Sequence, residues 1–241
     1  VRSRDSEAVL QCFISQSYSE AKRLLPIAHF SAFHKDVLDQ IRSGPVGRLC
    51  PPVSPDYTLA IQVLVACEQV TYIDSGLVAF SDQRQSNGMS VRLKGELAKQ
   101  FTRELGGATV YFDHVPVKAL TISGTIYNDY CKLRTQLPAL EKFPVQWPHY
   151  FAACHESIHT SIALGVDMRE EQVEWTKALS EQPEAVQSEV NAILAAQDRS
   201  IHSSVKALGK SGPIKACVNV AKSIFRGSIL RQPEWRFTQI A

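Results

Sequence analysis

The feature that most constrains this fold is the segment 150–165, sixteen consecutive residues without proline and with a single glycine at the end. An apolar-rich run of this length is too long for an ordinary strand and predicts a buried helix. It contains His155-Glu156-Ser157-Ile158-His159, the pattern H-E-x-x-H. Because residues four apart share one face of a helix, we expect His155 and His159 to lie side by side.

Two imidazoles one helical turn apart are a common pair of zinc ligands, and a carboxylate beside them can take a proton from a metal-bound water. We therefore predict that His155 and His159 bind one zinc ion and that Glu156 is the catalytic base. The alternative is a buried helix that carries two ordinary histidines and one surface glutamate.

A catalytic zinc site needs a third protein ligand and an open position. The longer metzincin pattern would place glycine at position 162 and histidine at 165, but the chain has Ile162 and Gly165, which excludes that class. A helix predicted to follow the turn at 164–167 could return an acidic ligand to the pair. The candidates are Glu171, Glu170 and Glu174, with His202 as a more distant alternative. These acids could instead be first-turn residues that favour a helix N-terminus.

The order of predicted elements indicates an α+β protein, with a small, mostly antiparallel sheet and helices in its N-terminal half and a helical C-terminal half. We predict helices within 1–42 (the last over 29–41), a loop over 43–55, and a helix or strand over 56–70. A hairpin of 70–73 with 77–80, a short helix ending at Gly106-Gly107, and strands at 109–112 and 115–122 follow. From about residue 128 the chain is expected to be helical, with helices over 150–165, 168–180, 183–208 and 213–226. The predicted domains are 1–126 and 127–241.

The six cysteines are widely spaced, form no C-x-x-C pair and lie partly in apolar runs, so we expect reduced thiols. No apolar run approaches the length of a membrane span, and the N-terminal residues lack a signal-peptide core. These features predict a cytoplasmic protein without a membrane partner.

Two basic regions could bind phosphates. In the N-terminal half, a group of cations could follow a single-stranded nucleic acid, with Tyr72, Phe80 and Tyr111 stacking on its bases. These cations are Arg84, Arg92, Lys94, Lys99 and Arg103. Residues 199–236 carry eight basic side chains and one acidic side chain, after an acidic segment with ten acidic and three basic side chains over 141–198. Solvated surface charges and ordinary sheet aromatics are the alternative for both regions.

The residues around H-E-x-x-H also carry a family resemblance. Leu137-Pro138 with Phe143, then Tyr150, then His155-Glu156-x-x-His159-Thr160 resembles the metallopeptidase segment of ArdC-type antirestriction proteins. The segments R-E-E-Q-V at 169–173 and W-T-K-A-L at 175–179 are similar to the segments that follow in that family. The segment G-M-S-V-R-L-K-G-E at 88–96 is similar to an element of its N-terminal half.

This resemblance implies an N-terminal module that binds single-stranded DNA and a C-terminal zincin-like domain. It also implies a zinc-dependent, metallopeptidase-like protein that protects transferred plasmid or mobile DNA from host restriction. The alternative function is a non-catalytic protein with a vestigial zincin fold, which binds single-stranded nucleic acid or inhibits a partner.

Overall fold

The computed structural model describes residues 2–15, 24–51, 53–73, 87–107 and 111–208. The chain divides into two compact units, Val1–Val190 and Asn191–Ala241. The strands are β1 (Arg2–Asp5) and β2 (Gln69–Tyr72), and short 3₁₀ turns lie at Ala28–Phe30 and Pro138–Leu140. The helices are α1 (Ser6–Ser15), α2 (Lys35–Ser43), α3 (Pro55–Ala66), α4 (Asn87–Arg92), α5 (Glu96–Glu104), α6 (Ile122–Arg134), α7 (Trp147–Ala163), α8 (Arg169–Ser180) and α9 (Glu184–Leu208).

The predicted fold class is confirmed, since the chain is α+β and mostly helical with a small antiparallel sheet. The two strands pair from Arg2 opposite Tyr72 to Asp5 opposite Gln69. β2 agrees with the predicted strand at 70–73, but its observed partner is β1. The predicted partner at 77–80 lies outside the described residues. The predicted division after residue 126, which rests on the order of predicted elements, stays a prediction.

The core of the first unit forms where α1, α3 and α6 pack together. In α1 the apolar residues Val9, Leu10, Phe13 and Ile14 recur at helical spacing and are all buried. In α3 every residue from Thr58 to Leu64 is buried, which explains why its sequence shows no clear polar face. This region is therefore a helix, and the strand alternative is wrong.

The N-terminal end of α6 is fixed by a side-chain cap. The Thr121 hydroxyl accepts a hydrogen bond from the Gly124 backbone N–H at 2.9 Å, as expected for an N-cap threonine. Further along α6, Asn128 donates to the Tyr111 carbonyl at 2.9 Å. The Lys118 ammonium donates to the carbonyl of Val115 at 2.7 Å. The Lys118 bond bends the segment 111–121 back on itself, and the Asn128 bond joins the start of that segment to α6.

Four predictions about strands and helix starts are wrong. The segment 115–121 is irregular and position 122 begins α6. Within it the Val115 carbonyl accepts from the Lys118 ammonium, and the Thr121 carbonyl accepts from the Thr125 hydroxyl. Residues 111–112 are likewise not a strand, and 109–110 lie outside the described residues. The helix predicted over 29–41 begins only at Lys35, where His34 caps it. Helical structure also starts at Ile122 and not near residue 128.

The predicted helix hairpin around H-E-x-x-H is confirmed. α7 begins at Trp147 with Pro148 in its first turn, a position where the missing N–H of proline is harmless. It is ended by Gly165, whose φ of 82° suits glycine, with the Gly165 N–H bonded to the Ile162 carbonyl at 2.8 Å. α8 follows within a few residues, and α9 is present as predicted. The helix predicted at 213–226 lies outside the described residues.

None of the helices in the described part of the chain is both long and apolar enough to span a bilayer.

Candidate metal centre on helix α7

His155 and His159 lie side by side, as their four-residue spacing predicts. Their ring centroids are 4.1 Å apart and the ring planes are inclined by 34°. Both line a small cavity of about 120 Å³, which is completed by Ile158 and by three residues of α8, namely Gln172, Trp175 and Thr176. His155 is half-buried and His159 is exposed, so the pair stands at the edge of the protein.

Trp175 joins α8 to α7 next to the histidines. Its indole N–H donates to the Phe151 carbonyl at 2.9 Å, and its ring centroid lies 5.1 Å from that of His155. The same ring meets Phe151 edge-on at 6.3 Å. These contacts fix the rotation of α8 about its own axis. Because 172, 175 and 176 share one face of that helix, this face is turned toward the imidazoles.

Glu156 lies on the neighbouring face of α7. Its side chain keeps contact with solvent, yet partial desolvation by the surrounding protein raises the pKa of its carboxyl, and the positive charge of Arg92 opposes that rise. A raised pKa makes a carboxylate a better proton acceptor near neutral pH. The next residue, Ser157, shares a hydrogen bond of 2.9 Å with Ser123 and so ties this part of α7 to α6.

The side chains predicted as possible third zinc ligands differ in their surroundings. Glu171 is 9% exposed, and its Oε1 lies 2.7 Å from the Lys94 ammonium. Glu170 is exposed, whereas Glu174 accepts a hydrogen bond from the Lys118 backbone N–H at 3.0 Å. The side chain of His202 lies outside the described residues. In the described part of the chain, no three His, Cys, Asp or Glu side chains are grouped as a metal site.

The residues present thus fit a zinc ion in part. Two imidazoles on one helical turn are suitable donors, and the cavity between α7 and α8 adjoins both. The α8 residues that face them are an amide, an indole and a hydroxyl, which are poor zinc ligands compared with a carboxylate or a third imidazole. The arrangement supplies two of the three expected protein ligands.

The cations predicted to bind nucleic acid lie mostly near carboxylates. Lys94 pairs with Glu171, and Lys99 is 2.7 Å from Glu96 on the surface. The positive charge of Arg92 acts to lower the pKa of the Glu156 carboxyl. Arg103 lies in the last turn of α5. Arg84 lies outside the described residues, as do Phe80 and the stretch 209–236 of the basic tail.

The predicted base-stacking role of Tyr111 is wrong. It is 5% exposed, and its hydroxyl donates to Asp129 inside the protein at 2.8 Å. Tyr72 is half-buried, and its hydroxyl donates to the Leu24 carbonyl.

Sequence reasoning missed the α8 residues that face the histidines. A signal was present, because Trp175 is the one aromatic residue of the helix R-E-E-Q-V-E-W-T-K-A-L-S and so marks a contact face. From Trp175, helical spacing leads to Gln172 and Thr176.

Comparison of the chain with protein-family models, with curated proteins and with solved structures gave no match.

Proposed function

We propose that the protein is a zinc-binding, metallopeptidase-like protein in which His155 and His159 hold the ion and Glu156 acts as the base. The observation that carries the proposal is the pair of imidazoles, 4.1 Å apart, that opens into one cavity. Two histidines that occupied one helix face by chance would also lie side by side. They would not necessarily line a common cavity or adjoin a carboxyl group whose pKa is raised, as His155 and His159 do.

Each residue has a defined part in this proposal. When bound, a zinc ion supplies Lewis acidity that polarises a peptide carbonyl and makes water more acidic. Glu156 accepts a proton, for which its partial desolvation suits it. Trp175 covers one side of His155 and, through its bond to Phe151, holds that imidazole in place.

The proposed setting is antirestriction in mobile DNA, in the cytoplasm, with single-stranded DNA as a partner. The support is the resemblance of segments 88–96 and 137–179 to ArdC-type proteins. A labelled single-stranded oligonucleotide should bind in a salt-dependent manner, since phosphate contacts release counterions. Absence of binding at low salt would rule out single-stranded DNA as a partner.

One observation favours the second candidate function, a non-catalytic protein with a vestigial zincin fold. Glu171, one of the candidate third ligands, pairs with Lys94 and is not grouped with the histidines among the described residues. Replacement of Glu156 by glutamine separates the two functions. Loss of activity with zinc retained indicates an enzyme, whereas unchanged biological function indicates the non-catalytic protein.

Zinc uptake by the purified full chain tests the metal site. Equilibrium dialysis followed by metal analysis should give about one zinc per chain, as expected for a single site. The double variant His155→Gln/His159→Gln should lose that zinc. His149→Gln, on the same helix, is the matched control and should retain it. Equal zinc uptake by the double variant and the wild type would contradict the assignment of His155 and His159 as zinc ligands.

A further inference from the structure

The end of α4 has an unusual backbone. Lys94 has a φ of 49°, and it is the single non-glycine residue with positive φ in the described part of the chain. The Gly95 N–H bonds to the Ser90 carbonyl at 2.9 Å and the Lys94 N–H to Val91 at 3.2 Å. This pattern is a Schellman C-cap, in which glycine is strongly preferred at the left-handed position.

The same cap ends α5 and α7, and there the preferred residue is present. Gly106 has a φ of 85° and Gly165 a φ of 82°. In both caps the following N–H reaches back five residues, from Gly107 to Thr102 and from Val166 to Ser161. A lysine at the equivalent position of α4 therefore needs a reason in its side chain.

That side chain meets Glu171. The Lys94 ammonium lies 2.7 Å from Glu171 Oε1, and the side chains are 32% and 11% exposed. Glu171 Oε2 is buried and has no hydrogen-bond partner among the described residues. Buried carboxylate oxygens are normally satisfied, so this oxygen has capacity for a further donor or cation.

Two further observations relate this pair to the candidate metal centre. Glu171 directly precedes Gln172, which lines the histidine cavity. Arg92, two residues before Lys94, acts electrostatically on Glu156. The end of α4 thus presents positive charge to two acidic residues that the H-E-x-x-H chemistry would use, one on α7 and one on α8.

We propose that Lys94 is a positioning residue that stands in for a cation at Glu171. Its ammonium neutralises this carboxylate and keeps it from His155 and His159. Because an ammonium and a metal ion compete for the same carboxylate, the Lys94–Glu171 ion pair and a complete three-ligand site are alternative states. This inference rests on the proposed function, since it assigns Glu171 as the third ligand.

Zinc affinity of Lys94 variants of the full chain, measured by calorimetry, tests the inference. Lys94→Met removes the charge but keeps the strained backbone, whereas Lys94→Gly removes the charge and relieves the strain. Both should bind zinc about tenfold more tightly than the wild type, within the usual range of coupling between two ligands. Adding Glu171→Gln to either variant should abolish the gain. Lys177→Met, which removes an exposed charge from α8, is the matched control and should bind like the wild type.

The outcomes distinguish the role of Lys94 from the proposed binding of zinc by His155 and His159. Unchanged affinity in both Lys94 variants, with binding still lost in His155→Gln, overturns the role of Lys94 and leaves the metal site standing. Lack of zinc binding by the wild type and by both Lys94 variants overturns both. Binding that appears only in the Lys94 variants and disappears with Glu171→Gln supports the inference in its strongest form.

Discussion

Replacing Asp129 by alanine or by asparagine measures how firmly α6 holds the segments around it. Asp129 is 2% exposed. Its Oδ2 accepts from the Ser54 backbone N–H at 2.8 Å and from the Ser54 hydroxyl at 2.5 Å, and its Oδ1 accepts from the Tyr111 hydroxyl at 2.8 Å. One carboxylate therefore joins α6 to the start of α3 and to the segment 111–121.

The two substitutions should differ strongly. Alanine leaves three buried donors without an acceptor, and each such loss costs roughly 1–3 kcal/mol, so we expect Asp129→Ala to destabilise by about 3–5 kcal/mol after partial relaxation. Asparagine can turn its carbonyl oxygen to Ser54 and donate its amide to the Tyr111 oxygen. It loses charge assistance but avoids the desolvation of a charge, so we expect a change within about 1 kcal/mol.

The pH dependence has a defined sign. Burial raises the pKa of Asp129, while the Ser54 and Tyr111 hydrogen bonds and the charge of Lys132 oppose that rise. The carboxyl group of Asp129 therefore binds a proton more tightly in the folded state than in the unfolded state. The contribution of this tighter proton binding to stability is complete below the pKa of the unfolded state and is lost as the pH rises through the pKa of the folded state. The wild type should thus lose stability relative to Asp129→Asn as the pH rises from about 3 toward 7.

Urea unfolding followed by circular dichroism is the assay. Asp113→Ala is the control, because that side chain is 55% exposed and should change stability by no more than about 0.5 kcal/mol. A loss below about 1 kcal/mol for Asp129→Ala, or equal losses for alanine and asparagine, would refute the reasoning.

Two further substitutions test the contacts of α6 and α8. A Cβ at Gly124 would lie 2.8 Å from the capping oxygen of Thr121, so Gly124→Ala should destabilise the wild type by about 1 kcal/mol but be neutral or stabilising in a Thr121→Ala background. A double-mutant cycle of urea unfolding measures this coupling, and additive effects would contradict it. Trp175→Phe removes the indole bond to Phe151 and should cost about 1 kcal/mol in the same assay, while an unchanged midpoint would show that the bond contributes nothing.

Local signals predicted the helices well. The segment around H-E-x-x-H has helix-compatible residues throughout, Pro148 at its start and Gly165 just past its end, and the observed helix follows these signals closely. Gly106 ends α5 for the same reason. The side-by-side placement of His155 and His159 follows from helical geometry alone, which is why four-residue spacing predicts it.

Long-range pairing and helix rotation were not predictable in the same way. β1 has four polar, exposed residues and no alternation, and its partner β2 lies more than sixty residues away in the sequence. The apolar, β-branched segment after residue 115 is held by side-chain bonds that its composition does not reveal. The rotation of α8 is set by the contacts of Trp175. Gln172, Trp175 and Thr176 of this helix line the histidine cavity, whereas Glu171, one turn before Trp175, pairs with Lys94 of α4, a contact that no local pattern reveals.

The contact between Trp175 and His155 also gives the protein an optical probe of its own cavity. Indole emission depends on nearby charge, and this ring lies 5.1 Å from the imidazole. The chain has three tryptophans, so replacing Trp147 and Trp235 by phenylalanine would leave Trp175 as the sole indole. Fluorescence of that variant would report events at the histidines directly, without an added dye or a chosen substrate.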